Sequence, residues 1–133
     1  MNSLNKYSPY ALALLRILAA YMFLLHGTAK FFEFPVSMTG GNGAVSFMSL
    51  YGIGGIMEII GGILLILGLF TRPVAFLLSG MMAYAYFFIH VSGNNILLPM
   101  VNKGEAAALF SLVFFYLFIQ GAGAFALDNK VSK

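Results

Sequence analysis

Four apolar stretches, each close to the length of a membrane-spanning helix, dominate this sequence. They run at about residues 10–32, 52–70, 73–91 and 105–127. A helix needs ~20 predominantly apolar residues to cross the hydrocarbon core of a bilayer. Hydrophobic residues make up 61% of the 133 residues and charged residues only 8%, which is too few charges for an ordinary water-soluble surface. The sequence therefore predicts an all-α integral membrane protein with a single domain, residues 1–133.

The connections and the basic residues predict how these helices are arranged. The short turn before Pro73 favours antiparallel neighbours in a four-helix transmembrane bundle, and four spans place both termini on one side. That side would hold five of the seven basic residues, Lys6, Arg16, Arg72, Lys130 and Lys133. Because basic residues concentrate on the cytoplasmic side, we expect cytoplasmic termini and a bacterial-type inner membrane. Arg16 inside the first stretch also argues against a cleaved signal peptide.

The composition excludes several classes of function. The chain has no Cys, so it has no disulfide, thiolate metal site or thiol redox chemistry of its own. Its basic residues are scattered rather than clustered, which is not the pattern of a nucleic-acid surface. The expected partners are the lipid bilayer and other membrane subunits or further copies of the chain.

Glu58 is the one charged residue of the second stretch. Gly54, Gly55, Gly61 and Gly62 lie three and four residues to either side of it, so it falls on a helix face where another backbone can approach closely. We expect it to face protein. In the predicted orientation Glu58 and His26 both lie about 9 Å from the outer ends of their helices, at ~1.5 Å per residue.

The four helices can thus bring ionisable groups together in the outer third of the bundle. Lys30 is one turn from His26, His90 closes the third stretch, and Glu105 opens the fourth. We predict that Glu58, Lys30 and His26 carry the chemistry and that His90, Glu105 and Tyr86 contact a bound molecule. No comparable cluster is expected on the inner side.

Structural roles account for the same residues. The structural alternative for Glu58 is an ion pair or hydrogen bond that fixes helix packing, with Lys30 or His26 as its partner. Lys30 could extend to the headgroups, the histidines could make interface hydrogen bonds, and Glu105 suits a helix N-terminus. Arg16 is expected to extend to the inner surface or to pair with Asp128. No HxxxH or ExxH pair supports a metal site, and the differing depths of the two histidines disfavour haem.

Several segments resemble the DoxX family of small four-helix membrane proteins. They are "RILAAYMFLLHGTAKF" in the first helix, "GGIMEIIGGILLILGLFTRPVA" across the second, "NKGEAAALF" opening the fourth and "GAGAFALD" closing it. The matching positions are Arg16, Gly27, Lys30, Glu58, Gly61, Gly62, Arg72, Pro73, Gly104, Glu105 and Asp128. The family's tail often reads Gly-Pro-Gly-Arg, where this chain has Ala122 and Ala124 in place of Pro and Arg. Arg16 or Arg72 is then the expected partner of Asp128.

The resemblance implies a link to quinone, because the family is similar to the small membrane subunit of thiosulfate:quinone oxidoreductases. We therefore predict a quinone-linked redox protein or subunit, with quinone as the candidate cofactor. Two alternatives stay open. One is a non-catalytic accessory or assembly subunit of a larger respiratory-type complex. The other is a small-solute or proton-coupled permease, which four spans without an evident inverted repeat favour less.

Overall fold

The computed structural model describes residues 2–131, which are helical with connecting segments and contain no strand. Four long helices dominate: α2 (Ser8–Phe32), α3 (Leu50–Leu67), α4 (Thr71–Tyr84) and α6 (Glu105–Gln120). A π-helical segment, Ala85–His90, continues α4, and three single turns complete the order as α1 (Asn2–Asn5), α5 (Pro99–Asn102) and α7 (Asp128–Val131). The all-α prediction is confirmed. Lys133, one of the five basic residues expected on the cytoplasmic side, lies outside the described residues.

Three of these helices are long and apolar enough to cross a membrane: Ser8–Phe32, Leu50–Leu67 and Thr71–His90. The residues at the helix ends explain where the first two of them begin and where the second one ends. Pro9 occupies the first turn of α2, where a missing N–H costs nothing. The Ser49 hydroxyl caps α3 by accepting from the Gly52 N–H at 3.0 Å. Gly68, at φ 66°, ends the helix.

Helix α2 packs along α3, and α4 packs along α6, with α3 and α4 joining the two pairs. Between them lies a core of buried side chains from all four helices, comprising Ala20, Phe23, Leu65, Ala75, Leu78, Met82, Phe114 and Leu117. The α2–α3 contact is especially close at Gly27. A Cβ there would lie 2.7 Å from Ile59 Cγ1 and 2.9 Å from the Gly55 carbonyl oxygen, so the two backbones approach at a distance that a side chain would prevent.

The fourth predicted helix, residues 105–127, is too long. Helix α6 ends at Gln120, and the chain leaves the helix through Gly121 at φ 86° and Gly123 at φ 75°. The remaining residues fold back across the ends of α2 and α3. The Ala124 N–H donates to Pro9 O, and the Leu127 N–H donates to Leu67 O, both at 3.0 Å. Hydropathy alone does not distinguish these apolar tail residues from a continuation of the helix.

Arg16 donates hydrogen bonds to three carbonyl oxygens of this tail and to one of α3. Its side chain is fully buried. Nε donates to Leu65 O at 2.9 Å and Nη2 to Phe125 O at 2.9 Å. Nη1 donates to Ala124 O at 3.1 Å and also to Ala122 O. The roles predicted for Arg16, extension to the inner surface or pairing with Asp128, do not include these contacts, which are possible because a guanidinium has five N–H donors.

The predicted pairing of Asp128 with Arg16 or Arg72 was also wrong. The Asp128 carboxylate instead accepts from the backbone N–H groups of Phe70 and Thr71, at 2.7 and 2.9 Å, and so caps the start of α4. Arg72 donates to Phe118 O and Ile119 O. Partial burial alone would raise the pKa of Asp128, but the hydrogen bonds from Thr71 and Phe70 and the charge of Arg16 lower that pKa below its usual range.

Candidate functional site

Lys30 and Glu58 form a buried ion pair between α2 and α3. The Lys30 Nζ lies 2.6 Å from Glu58 Oε1 and 2.7 Å from Oε2, and the two side chains are 11% and 6% exposed. It is the one salt bridge within the described residues. The close α2–α3 packing at Gly27 and Gly55 brings the two side chains together, since each lies one turn from one of these glycines. Two of the three ammonium N–H bonds go to Glu58, which leaves one for another acceptor.

A cavity of about 500 Å³ lies beside this pair. Its walls are mostly apolar, with side chains from α2, α3, α4, the π-helical segment and α6. Charged or titratable side chains in the lining are His26, Lys30, Tyr51, Glu58, Tyr84, His90 and Lys103. Small-molecule sites in proteins are commonly of this size, with apolar walls and a few convergent polar groups. The arrangement can hold a ring or headgroup beside the ion pair and an apolar tail against the walls.

His26 lines the cavity without joining the ion pair. Its ring meets Phe110 edge-on, with the ring centroids 5.9 Å apart and the planes at 89°. Of the two partners predicted for Glu58, Lys30 is therefore the one observed. The His26 ring nitrogens remain available to a molecule in the cavity.

His90 reaches the cavity from the end of the π-helical segment. A π-helix is rare and is frequently found at functional sites. His90 Nδ1 lies 3.3 Å from the Asn102 carbonyl oxygen. This contact joins the end of the π-helical segment to Asn102 in the turn that precedes α6. Residues from both α4 and α6 line the cavity.

Tyr86 and Glu105 lie outside the cavity lining. The Tyr86 hydroxyl donates to Ile96 O at 2.6 Å and accepts from Asn102 Nδ2 at 3.2 Å. Its hydrogen bonds thus hold the connection between α4 and α6. Glu105 is exposed at the first turn of α6, where a carboxylate suits the positive end of the helix dipole. Four of the six predicted site residues, Glu58, Lys30, His26 and His90, therefore line one cavity.

Sequence reasoning missed Lys103 and Asn102. Lys103 lines the cavity, and Asn102 is buried and hydrogen-bonded. The sequence "NKGE" contains a signal for this turn, because Asn and Gly are typical of tight turns. Nothing in the spacing shows that the turn faces Lys30 and Glu58. Within residues 2–131 no three His, Cys, Asp or Glu side chains come together as a metal-ligating group.

Comparisons with known proteins place these features in a wider group. The DoxX family model matches residues 11–91. A Haemophilus influenzae protein named "Uncharacterized protein" is 63% identical, over 100% of this chain and 99% of its own length. "Putative oxidoreductase CatD" of Bacillus subtilis is 32% identical, over 98% of this chain and 93% of its own. "Inner membrane protein YphA" of Escherichia coli is 28% identical, over 98% of this chain and 100% of its own length. No solved structure gave a significant match.

Proposed function

The chain belongs to the DoxX family of membrane proteins, and from that premise we propose that it is a quinone-linked redox protein or subunit. The observation that carries the proposal is the cavity of about 500 Å³ with apolar walls and the Lys30–Glu58 pair in its lining. The oxidoreductase name of the Bacillus subtilis relative supports a redox role. The chain itself has no Cys, so the redox-active group is a bound molecule or lies on a partner.

In this proposal the polar side chains orient the quinone headgroup and move its protons. A quinone has two carbonyl oxygens that accept hydrogen bonds, and reduction adds a proton to each. The free N–H of Lys30 and the ring of His26 supply donors. Glu58, hydrogen-bonded to Lys30, is the proposed proton relay. The isoprenoid tail lies against the apolar walls and leaves between helices towards the lipid.

We also propose that α2, α3, α4 with its π-helical segment, and α6 form a four-span bundle in the bacterial cytoplasmic membrane. Helix α6 has 16 residues, or about 24 Å at ~1.5 Å per residue, which is short for a hydrocarbon core of ~30 Å. The returning tail, residues 121–127, completes that crossing. The name of the Escherichia coli relative supports an inner-membrane location.

The sidedness can be tested cleanly because the chain has no native Cys. Lys130→Cys and Gly41→Cys place single thiols at exposed positions on opposite predicted sides. An impermeant maleimide applied to intact cells should label Gly41→Cys and leave Lys130→Cys unlabelled until the membrane is opened. The reverse pattern would overturn cytoplasmic termini.

The quinone proposal is tested by purifying the protein in a mild detergent and identifying copurified lipids by mass spectrometry. We expect quinone to copurify or to bind when added. Ala106→Phe, which places a large ring in the cavity lining, should lower the quinone content. Leu109→Phe lies on the same helix outside the lining and serves as its control. Protein that neither retains nor binds quinone, and gives no quinol-dependent signal with its partners, would overturn the proposal.

One observation favours the alternative of a non-catalytic accessory subunit. Both carboxylate oxygens of Glu58 are engaged by Lys30, as they would be in a pair that locks two helices together. Isolation of the native complex separates the two readings. A stable stoichiometric partner, with Glu58→Gln impairing assembly while turnover per assembled complex is kept, would favour the accessory role.

A further inference from the structure

Asn102 fixes the turn between the π-helical segment and α6. Its side chain is buried, and Nδ2 donates to Asn95 O at 3.0 Å and to the Tyr86 hydroxyl at 3.2 Å. Its Oδ1 accepts from the Gly104 N–H at 2.7 Å. A buried polar network with its hydrogen bonds satisfied is rigid. The turn therefore holds its neighbour Lys103 in a defined position.

Lys103 adopts a left-handed backbone conformation, at φ 62°, which is uncommon for a residue other than glycine. Gly104 follows Lys103, and glycine is required there because of close contacts rather than backbone conformation. A Cβ at this position would lie 2.7 Å from both Asn102 Oδ1 and the Tyr86 ring. Lys103 lines the cavity and makes no salt bridge within residues 2–131. Its ammonium group is thus available to a molecule in the cavity.

The contact between His90 and Asn102 determines which histidine nitrogen is free. Nδ1 lies 3.3 Å from the Asn102 carbonyl oxygen. A carbonyl oxygen only accepts hydrogen bonds, so the neutral imidazole carries its proton on Nδ1 and leaves Nε2 as an acceptor. His90 lines the same cavity as Lys103. The cavity lining therefore contains an acceptor from the end of the π-helical segment and a cation from the turn before α6.

We propose that His90 and Lys103 form a subsite for an aromatic ring hydroxyl, the group that a hydroquinone or phenol has and an oxidised quinone lacks. The hydroxyl donates to His90 Nε2, and the Lys103 ammonium donates to the hydroxyl oxygen. If the proton moves, the O–H bond breaks, an N–H bond forms at Nε2, and the ring oxygen becomes an oxyanion beside Lys103. No electron is transferred in this step. The inference rests on the proposed function, because it assumes that this cavity binds a quinone-type ring.

The test compares equilibrium binding of a long-chain 4-alkylphenol, its O-methyl ether and a quinone with a tail of equal length. The protein is the full chain in nanodiscs. We expect the phenol to bind the unmodified protein about tenfold more tightly than the ether, because the ether has no proton to donate to His90 Nε2. His90→Phe should remove most of that ratio. Lys103→Gln should weaken the binding of phenol and ether alike, since both keep the ring oxygen that accepts from Lys103. Lys103→Arg keeps the charge and should retain both affinities, and Lys130→Gln, which changes a lysine outside the cavity lining, should leave the affinities and their ratio unchanged.

The outcomes separate this inference from the function on which it rests. Equal binding of phenol and ether, an unchanged ratio in His90→Phe, or unchanged affinities in Lys103→Gln overturns the subsite while quinone binding still supports the cavity. If none of the three probes binds, both proposals fail. Circular dichroism and gel filtration of each variant identify any that does not fold, and Lys103→Gln, which changes an exposed side chain, keeps the test decisive if His90→Phe is lost.

Discussion

The Lys30 ammonium contacts both carboxylate oxygens of Glu58, at 2.6 and 2.7 Å, across the interface of α2 and α3. Both side chains are almost entirely buried. Removing one partner of such a pair leaves the other charge in an apolar setting without compensation, which costs more than the pair itself contributes.

We therefore expect Lys30→Met and Glu58→Gln each to destabilise the protein, by about 3–5 kcal/mol for a broken buried pair. The double variant should lose less than the sum of the two, because it leaves no unpaired charge. Thermal or denaturant unfolding of all four proteins in one detergent gives the coupling energy. Strict additivity would show that the two side chains do not interact in the folded protein.

Replacing Arg16 with lysine should destabilise the folded protein. Its guanidinium donates to four carbonyl oxygens, on Leu65, Ala122, Ala124 and Phe125. An ammonium is a compact point charge that lacks this planar fork of donors. Arg16→Lys should lower the unfolding free energy by at least about 2 kcal/mol, as unsatisfied buried acceptors do.

Arg72→Lys is the matched control for Arg16→Lys. Arg72 is exposed and also donates to backbone carbonyls, those of Phe118 and Ile119, but water can replace its contacts. The change should stay within about 0.5 kcal/mol. An equal loss from the two substitutions would mean that burial of Arg16 does not determine its contribution.

The contribution of Asp128 should depend on pH. Its folded-state pKa is lowered, chiefly because hydrogen bonds from Thr71 and Phe70 outweigh the effect of burial. Protonation therefore favours the unfolded chain, whose carboxyl has an ordinary pKa of about 3.9. The stabilisation is complete above that value and is lost as the pH falls through the lower folded pKa.

Asp128→Asn should accordingly cost about 1 kcal/mol at neutral pH, as for loss of a helix cap, and progressively less below pH ~4. Unfolding of the two proteins measured side by side from pH 7 to pH 2.5, a range chosen to bracket that transition, gives the difference directly. A difference that stays constant or grows on acidification would contradict the assignment of the carboxylate as the cap of α4.

Gly27→Ala should destabilise the protein although alanine is the better helix former. The added Cβ would lie 2.9 Å from the Gly55 carbonyl oxygen, a backbone atom that moves only if α2 and α3 separate. Such overpacking costs about 1–3 kcal/mol. Gly80→Ala is the control, because a Cβ there meets no atom within 4 Å. It should be neutral or stabilising by up to about 1 kcal/mol, and a similar result at both sites would contradict the close packing.

Much of the site was predictable because it follows from helical periodicity. Glycines three and four residues from Glu58 place it on a closely packed face, and Lys30 lies one turn from His26, which was predicted at the depth of Glu58. The same reasoning overextended the fourth helix, and it did not reveal that Tyr86 and Glu105 lie outside the cavity lining. Apolar residues of the tail satisfy a hydropathy criterion whether or not they are helical, and a side chain at the right depth can still face a loop.

The sequence by itself determined that lipid surrounds much of this protein, where its helices lie, and that the Glu58 carboxylate faces inwards. Each of these conclusions depends on local composition and on the period of one helix. Tertiary structure alone decided which groups meet. Lys103 reaches the cavity because Asn102 folds the preceding turn, and Arg16 is buried because the tail returns over it. The contacts of Arg16 with the tail and of Lys30 with Glu58 join residues from distant parts of the chain, and no local sequence pattern specifies a distance that only the packing of complete helices sets.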